Sequence, residues 1–177
     1  MIKLTLSALL ITTSLSLSSL AVATETFEQG FKYAEQQNYA QAIKIWQPLA
    51  EHGDALAQSN LGVFYENGWG VTASLEQALT WYQRAAEQGQ ADAQHNLASM
   101  YQQGHGVAKD LNKAGALYLQ AAEQGHGASQ LRLGLMFQEI EDFAQAGFWY
   151  KKAVALNVEG AQKNLDYLCQ LSPTSCE

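Results

Sequence analysis

The chain has 177 residues, with 10 basic and 17 acidic side chains and a formal net charge of −7. Lys3 is the only charged residue among the first 23, so loss of that segment would leave about −8 on the rest. A chain of that charge repels nucleic acid and anionic lipid, and neither is expected as a partner.

Residues 1–23, MIKLTLSALLITTSLSLSSLAVA, have the layout of a secretory signal peptide: one early cation, a run of Leu, Ile, Ser and Thr without an acid, and small residues at Ala21 and Ala23. An uncleaved anchor fits less well, because six Ser and Thr residues between Thr12 and Ser19 lower the hydrophobicity. No Cys follows Ala23, so a lipid has no acceptor there. The expectation is an exported chain, periplasmic or secreted, that begins near Thr24, forms a single domain over 24–177 and does not insert into the membrane.

From there the sequence repeats. "AAEQG" occurs at 85–89 and again at 121–125, with "LAEHG" at 49–53, a spacing of 36 residues. A stacked building block needs its joints in every copy, whereas one substrate needs only one catalytic set. The two full copies, 55–90 and 91–126, each read as two helices. Ala57, Leu61, Phe64 and Tyr65 make one apolar face at helical spacing, and Ala93, Leu97, Met100 and Tyr101 repeat it. Gly68 and Gly104 end these first helices.

The second helices start at Asn38, Ser74, Asp110 and Asp142, followed three residues later by Gln41, Gln77, Lys113 and Gln145. Three of these four pairs carry the side chains of a capping box. The pentapeptide is then the last turn and stop of the second helix, with Gly53, Gly89, Gly125 and Asn157 reversing the chain. Flanking copies at 27–53 and 127–158 lack four residues of the Gly-x-Gly-Val loop. Residues 159–170 match only a first helix, as a cover for the last apolar face, and 171–177 form a terminal loop. The pattern predicts nine helices and no strand. Cys169 and Cys176, the only cysteines, read as one disulfide closing a short terminal loop, worth roughly 2–3 kcal/mol.

The pattern A-x-A-x-x-x-L-G-x-x-Y-x-x-G-x-G-V, then A-x-x-W-Y-x-x-A-A-x-x-G, resembles the Sel-one-like repeat, a relative of the tetratricopeptide repeat. Residues 55–126 match closely, and Tyr33, Ala42, Trp46 and Pro48 give the first short copy a tetratricopeptide character. The resemblance implies an all-α, right-handed solenoid of stacked antiparallel helix pairs. Ala98 and Gly115 depart from the pattern, as does the absence of the cysteines that staple each repeat in one secreted branch of the family.

If the tetratricopeptide register transfers, the fifth, ninth and twelfth residues of each first helix line a partner-binding groove. These are Phe27, Phe31 and Ala34 in the first copy; Ser59, Val63 and Glu66 in the second; and His95, Ser99 and Gln102 in the third. The row continues through Leu131, Leu135 and Gln138 to Lys163 and Tyr167. Its mixed apolar and uncharged polar character suits a protein or peptide segment. Leu131 and Leu135 are equally well read as core. Trp81, Tyr82, Trp149 and Tyr150 recur at one place in successive second helices and read as packing residues, whereas Trp69, in a loop, reads as an exposed contact point.

No pair among His52, His95, His105 and His126 has ligand spacing, so neither a metal nor a cofactor is expected. No nucleophile elbow, phosphate loop or His-Glu-x-x-His motif is present. The leading expectation is a non-enzymatic interaction adaptor or regulator in a bacterial envelope, monomeric because both ends are capped. The alternatives are a cell-wall or β-lactam ligand binder or hydrolase, as in the cysteine-stapled branch, and an assembly factor for one envelope complex.

Overall fold

A computed structural model describes residues 26–175, so the expected signal peptide lies outside the described residues. Among the described residues nine α-helices follow one another: α1 over 26–35, α2 Tyr39–Glu51, α3 Ala55–Asn67, α4 Leu75–Glu87 and α5 Ala91–Gln103, then α6 Leu111–Glu123, α7 Gly127–Glu139, α8 Phe143–Ala155 and α9 Ala161–Leu171. A 3-10 turn, Pro173–Ser175, ends the described residues, which contain no strand. Packing is closest within the pairs α3/α4, α5/α6 and α7/α8 and continues from each pair to the next. The result is a solenoid of stacked antiparallel helix pairs, with four successive apolar clusters in place of one central core.

Each helix stops and starts where its local chemistry requires. At the stops, the N–H groups of Asp54, Gln90 and His126 donate to the carbonyls of Leu49, Ala85 and Ala121, while those of Gly53, Gly89 and Gly125 donate to Ala50, Ala86 and Ala122. This is the Schellman arrangement, and Gly89 at φ +86° supplies the left-handed residue it needs. At the starts, Ser74, Asp110 and Asp142 accept from the N–H three residues on, as expected.

Two details differ from the sequence expectation. Asn38 makes no side-chain cap bond. The return half of the capping box also has no role to play. The N-cap N–H groups of Asn38, Ser74, Asp110 and Asp142 donate across the turn to the carbonyls of Tyr33, Tyr65, Tyr101 and Phe137. With that donor already satisfied, Lys113 serves at the third helical position as well as Gln77 does.

The terminal disulfide also needs correction as a support of the fold. No disulfide joins two cysteines within residues 26–175, because Cys176 lies outside them, although Cys169 is not a free thiol. Among the described residues the last helix is held by burial of Ala161 and Leu168, the latter against Ala146 and Tyr150 of α8.

Within the pairs α3/α4, α5/α6 and α7/α8 a buried tyrosine of the second helix packs against the first, and in α1/α2 Trp46 takes that place against Gly30. A Cβ added at Gly62 would stand 2.5 Å from the Tyr82 ring, and Gly134 faces Tyr150 in the same way. In the middle copy Ala98 takes this place and is fully buried. Gly62→Val should therefore destabilise the chain by about 1–3 kcal/mol through overpacking. Urea unfolding measures this, and an unchanged midpoint would show that Tyr82 can move aside at no cost.

Candidate functional site

The residues expected to form the groove occupy equivalent positions on α1, α3, α5, α7 and α9, but their surroundings divide them. Ser59 is buried. Glu66, Gln102 and Gln138 each accept a hydrogen bond from the buried tyrosine of their own pair: Tyr82 Oη at 2.7 Å, Tyr118 Oη at 3.0 Å and Tyr150 Oη at 2.9 Å. Burial, reinforced by Glu66, raises the Tyr82 hydroxyl, and burial with Glu139 pushes Tyr150 up to about 12, so both stay neutral donors. The twelfth positions thus join the two helices of a pair.

Leu131 and Leu135 are half-buried against the cluster of Ala146, Tyr150 and Leu168. Val63 is half-buried between two clusters. Ser99 Oγ accepts from Gln103 Nε2 at 2.6 Å. At the two ends of the row stand side chains with open surface: Phe31, 46% exposed, and Tyr167, 53% exposed, with Lys163 exposed beside the latter. Trp81, Tyr82, Trp149 and Tyr150 are all buried packing residues. Trp69 keeps 39% exposure, but its ring stacks on Tyr39 at 5.3 Å and 11° and meets Phe64 edge-on. The loop tryptophan therefore covers the start of α2 while showing one face to solvent.

His95 has partners that the sequence does not announce. Its Nδ1 lies 2.9 Å from Ser129 Oγ, its ring 4.6 Å from that of His126, and its other neighbours are Tyr118, Arg132 and Asp92. His126 is the N-cap of α7: the Ser129 N–H donates to its Nδ1 at 3.2 Å, which leaves the proton on Nε2, 3.3 Å from Asp92 Oδ1. The order Asp, His, Ser suggests hydrolase chemistry, but a nucleophile must meet its substrate, and Ser129 is fully buried with its oxygen engaged by two rings. The group is a clasp between α5 and α7. No group of three or more potential metal ligands exists among the described residues.

The Sel1 repeat family model matches residues 17–54, 55–90, 91–126 and 127–158. Among solved structures the chain is similar to a Sel1 repeat protein from Oxalobacter formigenes, at 30% identity and TM-score 0.75 over 79% of this chain and 57% of that one. It is also similar to a protective antigen of uropathogenic Escherichia coli strains with an SLR fold, at 33% identity and TM-score 0.78 over 84% of this chain and 34% of that one. This chain thus spans less than two thirds of either. No curated protein matches it.

Burial, with His126 and Arg132, holds His95 down to about 4, against the pull of Asp92. The unfolded chain takes up a proton near pH 6.5 that the folded chain refuses. Stability is therefore present in full above pH 6.5 and is lost as pH falls toward 4. Discounted for the ring's partial exposure, the loss is about 2 kcal/mol. His95→Gln should flatten this part of the profile, measured as the wild-type minus variant difference in urea midpoint at pH 7 and pH 4.5. An equal difference at both pH values would show that His95 titrates normally.

Proposed function

Because the chain belongs to the Sel1-repeat family, we propose that it is an exported, monomeric, non-enzymatic module that binds a protein segment in the bacterial envelope. The family's helical repeat is a non-catalytic scaffold, and the buried Ser129 is in keeping with that. No helix among the described residues is long and apolar enough to cross a membrane. The leader-like residues 1–23 support export.

One observation carries the reading. The row of first-helix residues ends in exposed aromatics, Phe31 and Tyr167, with half-buried Val63 and Ser99 between them. Aromatic side chains left in water at the ends of such a row are anchors without a partner. Glu66, Gln102 and Gln138 are already spoken for by tyrosines, so the contact surface narrows to Phe31, Val63, Ser99, Lys163 and Tyr167, with His95 and Leu135 at its floor.

A photo-crosslinking residue at Ser99 or Tyr167, with Lys151 on α8 as control, tests this in the exporting host. The expected result is one protein captured from the first two positions and not from Lys151, with capture from Tyr167 reduced at least tenfold by Ser99→Trp. Equal capture from Lys151, or capture unaffected by Ser99→Trp while circular dichroism stays helical, would contradict the reading.

A further inference from the structure

Leu117 stands where the neighbouring repeats have tryptophan. The positions immediately before the three buried tyrosines are Trp81, Leu117 and Trp149. Trp81 is buried against Ala42, Leu61 and Phe64 of the preceding helices, and Trp149 fills the same place against Ala114 and Leu133. Leu117 reaches the equivalent cluster only partly, and beside it opens a cavity of about 660 Å³ bounded by α4, α5 and α6. Its apolar wall is Leu97, Tyr101 and Leu117.

The polar groups follow the same logic. A cation lies over each native indole: Arg84 at 4.9 Å from the Trp81 centroid and Lys152 at 5.5 Å from that of Trp149. The middle repeat has Gln120 at this place. Its cation is Lys113, on the cavity wall, with Nζ 5.2 Å from the Tyr101 ring centroid. Glu87 and Gln120, also on the wall, offer acceptors for an indole N–H.

We propose that this cavity is a docking site for a tryptophan side chain presented by a partner protein. The occupant is indicated by the chain itself, because two of its own repeats fill the equivalent space with tryptophan. The inference rests on the reading of the chain as a protein-binding module, but it uses a surface distinct from the first-helix row.

The test is a titration of the protein with N-acetyl-tryptophanamide, followed by NMR at Leu97, Tyr101 and Leu117. N-acetyl-leucinamide and free tryptophan serve as the other arms, and Leu117→Trp as the variant. The amide should give saturable shifts that the leucine analogue does not. Leu117→Trp, which supplies the indole from within the chain, should abolish those shifts and raise Tm. Absence of saturable shifts, shifts that persist in Leu117→Trp, or a lowered Tm in that variant would overturn the proposal. Free tryptophan binding tenfold more tightly than the amide would also overturn it, since the occupant would then be a small molecule. The Ser99→Trp variant keeps the two readings separable: lost crosslinking with intact shifts concerns the row alone.

Discussion

One buried amide holds each repeat to the one before it. Gln58, Gln94 and Gln130 are buried, and each donates from Nε2 to a carbonyl of the preceding helix: Ala50, Ala86 and Ala122, at 2.9, 3.4 and 3.1 Å. The Oε1 atoms of the first two accept in turn from Gln88 and Gln124, at 2.7 and 2.8 Å. Four of the five letters of "AAEQG" thus have a task. The alanines bring helices close and the second offers its carbonyl to the next repeat's amide; the Gln returns to the amide on the first helix of its own repeat; and the Gly turns the chain. A buried amide left unbonded costs about 1–3 kcal/mol, so this junction fixes the stacking of pairs more narrowly than apolar contact alone can. The series ends at Gln130, whose Oε1 is buried without a partner, because Leu156 stands where Gln88 and Gln124 did.

The stacking frame leaves the repeats free to differ where the joints do not depend on side-chain size. The tyrosine positions are strict from α4 onward, since Tyr82, Tyr118 and Tyr150 all bury their rings and bond the opposite helix. The tryptophan positions just before them are not, and the change to Leu117 opens space instead of collapsing the pair. The first-helix row varies in the same way, from Val63 to Ser99 to Leu135. Departures from the repeat, read against a fixed frame, are where binding specificity can reside.

Much of this frame was legible in the sequence because it is local. The 36-residue spacing, the glycine stops and the Ser74, Asp110 and Asp142 caps depend on residues within one turn of each other. What escaped depends on contacts between turns. Asn38 has the right side chain for a cap but makes no bond with it. Gln90 and His126 are unusual caps for first helices, and the only cue was their place directly after Gly89 and Gly125. The clasp of His95 with Ser129 spans 34 residues and has no motif. Glu66, Gln102 and Gln138 read as groove residues, since nothing local says that a tyrosine twelve or sixteen positions later will donate to them.

The most direct test of the account is native-state hydrogen exchange in Gln58→Leu, a substitution that keeps the volume filled but removes the junction between α2 and α3. The account predicts that amides of the α2 terminus, Gly53 and Asp54 included, lose about 1–3 kcal/mol of protection while those of α7 and α8 keep theirs. Unchanged protection at Gly53 and Asp54 would mean that apolar packing alone aligns the repeats, and that the buried glutamines are passengers.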